Sequence, residues 1–228
     1  MGSIILIDGL STTGKSTLSE LVSHQITGRS VCWFHEECES HPLALAVDYG
    51  LHPECREDAV KKCQMTLDAW SDFIQYVSVT DVMYIMDGCF LHELEKFYFR
   101  SVLRIEEIMT FYIQVSEMLN QIGAKLFYLQ RADVAASYRK TFEYREKRWM
   151  EYKLRQIERY QEGAVGKIAG DSKDVWARLR QCKYAMEKIC KALPMETYWL
   201  DTSKEDWERL AGWICQKIDI SGGNRDGI

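Results

Sequence analysis

Five short runs of apolar and aromatic residues punctuate the chain, each bounded by polar or turn-forming residues. They are Ser3 to Ile7, Val31 to Phe34 after the turn at Thr27-Gly28-Arg29, Val82 to Met86, Lys125 to Leu129 after Gly123, and Thr197 to Leu200 after Pro194. Runs of this length and content predict strands. Their near-continuous apolar character predicts a sheet covered on both faces, hence parallel. Between them apolar residues recur at spacings of three and four, the helical period. Residues 17–22 show it, and so do 56–77 through Val60, Leu67, Trp70, Phe73, Ile74 and Val77. Residues 94–122 read as one long helix or two, and 133–160 as a helical stretch rich in charge and aromatics. Residues 174–193 and 204–218 complete the set, with Ser203 as an N-cap. Strands alternating with helices predict a doubly wound α/β fold on a five-stranded parallel sheet.

The 228 residues fit a single domain over 1–220, with a helical lid at about 133–170 and a loose tail at 221–228. A hydrophobic fraction of 46% is ample for a core. The net charge of −5 argues against a chain-wide role on nucleic acid or a membrane surface. None of the eight cysteines forms a C-x-x-C pair. Cys55 and Cys63, like Cys182 and Cys190, are spaced to share a helical face, which predicts buried thiols. No stretch has the length of a membrane span and no signal peptide is expected. The expectation is a cytoplasmic monomer or homodimer acting on a small molecule.

Chemistry enters at Gly9-Leu10-Ser11-Thr12-Thr13-Gly14-Lys15-Ser16, which fits G-x-x-x-x-G-K-S between a strand and a helix. Glycines let successive N–H groups converge on an anion, and the helix start adds donors and partial positive charge. Gly9, Ser11, Thr12, Thr13, Gly14, Lys15, Ser16 and Thr17 are therefore candidate nucleotide contacts, joined by Arg131 after the fourth strand. Lys15 would reach the outer phosphates and Ser16 would hold Mg²⁺.

In a parallel sheet, ligands gather beyond the carboxyl ends of the strands. After the second strand stands His35-Glu36-Glu37-Cys38-Glu39-Ser40-His41. Glu36 or Glu37 is a candidate base for an acceptor hydroxyl; the alternative is a solvated acidic loop. A zinc site from His35, Cys38 and His41 lacks a recognised spacing. After the third strand, Asp87 precedes Gly88 and is a candidate metal residue or a base; an ordinary Asp-Gly turn is the alternative. Arg145 and Arg148, in the lid with Arg139 and Lys147, are candidates to neutralise phosphoryl charge. A solvated, ion-paired helix is the competing explanation. Aromatics at 70–76 suit core packing better than a substrate ring. Ser203-Lys204-Glu205-Asp206 does not complete a guanine-reading motif, so ATP is the expected nucleotide.

This order of elements resembles the P-loop kinase group, which includes thymidylate, deoxynucleoside and shikimate-type kinases and antibiotic phosphotransferases. The resemblance spans most of the chain, and its specific motif is Gly9 to Ser16. In deoxynucleoside kinases an acidic residue after the second strand is the base, a position that maps onto Glu36 or Glu37. Their Glu-Arg-Ser after the third strand is replaced here by Asp87-Gly88-Cys89, and the Asp-Arg of thymidylate kinases is missing. The resemblance implies an ATP- and Mg²⁺-dependent transfer of the γ-phosphoryl group to a hydroxyl or phosphate of a small acceptor. The alternative is a regulatory NTPase that hydrolyses ATP or GTP; the lack of D-x-x-G after the third strand counts against a GTPase switch.

Overall fold

In a computed structural model of the chain, β1 (Ser3–Gly9) forms the middle of a five-stranded sheet ordered β2-β3-β1-β4-β5. The other strands are β2 (Ser30–Phe34), β3 (Val82–Asp87), β4 (Lys125–Gln130) and β5 (Glu196–Asp201), and every pairing is parallel. The helices bounded by described residues are α1 (Lys15–Gln25), α2 (Arg56–Ser78), α3 (Ile105–Gln121), α4 (Val134–Tyr144), α5 (Val175–Ala192) and α6 (Trp207–Asp219). The structure describes residues 1–43, 53, 55–91, 94, 102–145, 147–149, 151–152, 155 and 175–219.

Strand alternation divides the core in two. Ile4 and Leu6 of β1, with Tyr84, Met86, Leu126 and Tyr128, face α2, α3 and α5. Ile5 and Ile7, with Met83, Ile85, Phe127 and Leu129, face α1 and α6 through Leu18, Val22, Leu210 and Ile214. Both faces of the central strands are thus apolar, which is why their sequence runs lack polar alternation. Each fully buried aliphatic side chain of this kind contributes about 1.5–3 kcal/mol.

All five expected strands form, each a residue or more longer than its apolar run. The extensions matter: Asp8 and Gly9 belong to β1, and Asp87 to β3 rather than to the loop after it. Other expectations need correction. Residues 133–160 are not one helix, because Arg145 leaves α4 with extended backbone (φ −86°, ψ 149°) before helical residues resume at 147. Ser203 does not cap α6. The Asp201 carboxylate accepts both its N–H, at 2.9 Å, and its hydroxyl, at 2.5 Å. The first helical bond runs instead from Leu210 N–H to Asp206 O. Cys182 and Cys190 are buried, but Cys55 is exposed at the N-cap of α2. Trp70 and Phe73 pack in the core, and Tyr76 is 58% exposed. Residues 95–101, the whole of the expected lid beyond 155, and the tail at 221–228 lie outside the described residues. No described helix is long and apolar enough to cross a membrane.

Candidate active site

The loop between β1 and α1 turns its carbonyls outward. Leu10 O accepts the Thr13 hydroxyl at 2.8 Å, Thr12 O accepts the Ser137 hydroxyl at 3.0 Å, and Thr13 O accepts the Thr202 hydroxyl at 2.9 Å. Gly14 O takes the first helical bond of α1, from Leu18 N–H at 3.0 Å. Gly14 is the N-cap, in left-handed geometry (φ 90°), and among the described residues no side chain caps α1. A Cβ on Gly14 would lie 2.3 Å from the Trp207 ring, so the loop and this indole pack too closely for any other residue. The helix start therefore keeps its orphan amides for a ligand, with the dipole favouring an anion.

The predicted phosphate contacts separate into two groups. Ser11, Thr12, Gly14, Lys15, Ser16 and Thr17 border a cleft of about 820 Å³. Gly9 and Thr13 do not: the Gly9 N–H donates to Asp8 Oδ1 at 2.6 Å, and Thr13 is buried with its hydroxyl on Leu10 O.

Asp8 is a residue that sequence reasoning missed. It is 1% exposed, and its Oδ2 accepts the N–H groups of Phe90 at 2.9 Å and Leu91 at 2.7 Å. It thereby ties the entry of the phosphate loop to the segment after β3. Burial raises its pKa to about 6, against the pull of Lys15 and the backbone donors. The one signal in the sequence was a carboxylate closing an apolar strand directly before the first glycine of the motif.

Asp87 ends β3 in register with Ile7 and is fully buried. Among the described residues neither of its carboxylate oxygens has a hydrogen-bond partner. His35 Nε2 stands 3.6 Å from Oδ2. Burial raises the Asp87 pKa to about 6; Lys15 opposes this, Glu36 adds to it, and the Ser16 hydroxyl and His35 favour the ionised form. The Ser16 hydroxyl does so from outside hydrogen-bond geometry. A buried carboxylate with unspent oxygens beside a serine hydroxyl is a hard oxygen donor set. It suits Mg²⁺, which takes one or two carboxylates and completes its shell with water and phosphate. Among the described residues there is no cluster of three His, Cys, Asp or Glu side chains. His35 and His41 spend their Nδ1 atoms on the N–H groups of Glu37 and Leu43. Burial lowers the His41 pKa to about 4.

Glu36 and Glu37 both line the cleft but differ in setting. The Glu36 carboxylate lies over Gly88, where a Cβ would approach Glu36 Oε2 to 2.6 Å and Lys15 Cε to 2.8 Å; with φ 65° this position is doubly restricted to glycine. Glu36 and Lys15 therefore both reach the residue that follows β3. Glu37 is exposed.

Cations close the opposite wall. Arg131 pairs with Glu205 at 2.8 Å and lies 5.9 Å from the centre of the Trp207 ring. Lys140 of α4 pairs with the other oxygen of Glu205. Arg145 borders the cleft with its guanidinium 4.9 Å from the centre of the Trp149 ring. Arg148 is exposed and does not line the cleft. Glu205, Lys140 and Trp207 carry no motif, and their part in the wall follows only from the fold.

No family model matches the chain, and no curated protein matches it. Solved structures do. The YorR protein of Bacillus subtilis, in complex with phosphorylated GDP, is 14% identical, with 96% of this chain and 98% of that one covered at a TM-score of 0.54. Deoxyadenosine kinase from M. mycoides with bound dATP is 15% identical, with 94% and 98% covered at 0.50. Shikimate kinase from Acinetobacter baumannii in complex with shikimate is 13% identical, with 98% and 96% covered at 0.50. At such identities the likeness is one of architecture, and that architecture is the P-loop kinase fold.

Proposed function

We propose that the protein is an ATP- and Mg²⁺-dependent kinase that moves the γ-phosphoryl group to a hydroxyl or phosphate of a small acceptor. The observation that carries this reading is the meeting of an uncapped helix start and Lys15 at one end of a cleft, with the buried carboxylate of Asp87 behind them, close to Lys15, Ser16 and His35 and without a hydrogen bond among the described residues. The cleft, at about 820 Å³, is at the large end of the range for small-molecule sites. The ligands of the named neighbours, a phosphorylated GDP, dATP and shikimate, belong to that size class.

In this reading the amides of Gly14, Lys15 and Ser16, which border the cleft, bind the phosphates and Lys15 neutralises charge on the transferring group. Ser16 and Asp87 would hold Mg²⁺, which when bound offsets phosphate charge. Glu36 accepts the acceptor proton as the acceptor oxygen bonds to the γ-phosphorus and the bridging oxygen leaves with ADP. The half-buried place of Glu36 beside Lys15 favours it over the exposed Glu37, and leaves Asp87 to the metal. Arg131 and Arg145 supply further positive charge from the lid side, and Arg148 has no part. Residues 1–220 act as one domain.

The test is ADP release from ATP and Mg²⁺ with nucleosides, nucleotides, sugars, shikimate-like polyols and aminoglycosides as acceptors. Release that rises with one acceptor class, and is lost in Lys15→Ala, supports the kinase. Release indifferent to every acceptor points to the hydrolase alternative.

A further inference from the structure

We propose that Thr202 and Ser137 are positioning residues of the phosphate-binding loop, fixing from outside the direction its amides face. The inference rests on the nucleotide-binding reading above. It begins from the planarity of the trans peptide, which sets the N–H of one residue opposite the C=O of the residue before it. Thr202 is fully buried where β5 ends, and its hydroxyl holds Thr13 O at 2.9 Å. With that carbonyl drawn toward β5, the Gly14 N–H of the same peptide plane is turned to the cleft. Gly14 borders the cleft, and among the described residues no protein acceptor takes its N–H.

Ser137 acts one residue earlier and from another element. Thr12 adopts a left-handed conformation (φ 72°), which a β-branched residue holds only under external restraint. Ser137 of α4 supplies two contacts: its hydroxyl donates to Thr12 O at 3.0 Å and accepts from Thr12 Oγ1 at 2.8 Å. Ser137 is 5% exposed, so its side of these bonds is shielded from water. The same helix carries Lys140 and Thr141 to the cleft wall. Through Ser137 the lid helix is hydrogen-bonded to the phosphate loop.

The experiment is calorimetric titration of tripolyphosphate, and of ATP with Mg²⁺, into wild type, Thr202→Val, Thr202→Ser and Ser137→Ala, with melting temperatures recorded without ligand. Losing one such bond and leaving a buried carbonyl unpaired weakens binding by roughly five- to thirtyfold. Both ligands should lose affinity to that extent in Thr202→Val and Ser137→Ala, melting temperatures should move by only a few degrees, and Thr202→Ser should bind as wild type does. Unchanged tripolyphosphate affinity in folded Thr202→Val and Ser137→Ala overturns the proposal while leaving the nucleotide-binding reading intact. Failure of Thr202→Ser to restore affinity also overturns it, because the hydroxyl would then not be the cause. A wild type that binds neither ligand overturns the nucleotide-binding reading and this proposal with it. Ser137→Ala carries the test if Thr202→Val does not fold, since alanine favours the helix it sits in.

Discussion

The guanidinium of Arg131 lies 2.8 Å from the carboxylate of Glu205, so an anion of the protein itself occupies a cation at the cleft wall. Lys140, from α4, takes the other carboxylate oxygen. These partners, Lys140 first, hold the Glu205 carboxyl below the usual carboxylate range, so the cluster is charged at neutral pH. Glu205 also sits in left-handed backbone (φ 54°), uncommon for a residue with a side chain. Phosphate oxygens that approach Arg131 must compete with this carboxylate.

Glu205→Gln should therefore bind ATP more tightly, by up to roughly fivefold, from the about 0.2–1 kcal/mol typical of one partly exposed ion pair. Titration at fixed ionic strength measures it. Weaker binding in this variant would show that Glu205 aims Arg131 at the ligand instead of competing for it.

Lys15→Ala should lower turnover by about a hundredfold or more, since charge stabilisation at the reacting group is often the largest catalytic term. Its melting temperature should match wild type, because Lys15 is half-exposed in the cleft and not part of either core. Near-normal turnover refutes the role given to Lys15.

The three carboxylates near the loop should separate by phenotype. Glu36→Gln should keep ATP affinity and lose transfer by about a hundredfold to ten-thousandfold, the usual cost of a missing general base. Glu37→Gln, on an exposed side chain, should transfer normally. Asp87→Asn should raise the Mg²⁺ concentration needed for half-maximal turnover. If Asp87→Asn abolishes transfer with no change in metal requirement and Glu36→Gln is active, the base is Asp87.

Stability should depend on pH through Glu107. Its carboxylate accepts Arg104 N–H at 3.0 Å in a capping box at the start of α3, and pairs with Arg56 at 2.5 Å. These contacts, the Arg104 backbone donor first, lower its pKa from 4.5 to about 2. A lowered carboxylate pKa stabilises the fold above the unfolded value, and the contribution is lost as pH falls from about 4.5 to 2. Glu107→Gln should melt below wild type at pH 7, and the gap should close by pH 2–3. A gap that persists at pH 2 would assign the effect to packing.

The strands were legible because each is a short apolar run, and in the central β1, β3 and β4, covered on both faces, the pattern in the chain copies the burial in the sheet. The phosphate loop was legible because its geometry depends on glycine, lysine and serine at fixed spacing. Asp8 was not, because its acceptor role is completed by N–H groups more than eighty residues away. Ser137 and Thr202 are hidden for the same reason: a serine in a helix and a threonine after a strand carry no mark of the carbonyls they hold 125 and 189 residues distant. Ser203 shows a local competition lost. Asp201, two residues back, captures the groups that a cap would have used. The break at Arg145 falls where no glycine or proline announces it.

The strand order divides what this molecule can vary from what it cannot. The phosphate loop leaves β1, which is hydrogen-bonded on both sides, whereas the segment bearing Glu36 leaves β2, an edge strand bonded only to β3. An insertion, deletion or exchange of sequence after β2 disturbs one ladder at the margin of the sheet. The same change after β1 displaces its centre and both cores with it. On the kinase reading proposed above, the acceptor side is thus open to replacement over a lineage while the phosphate side is inherited whole, a route by which one scaffold would acquire new substrates.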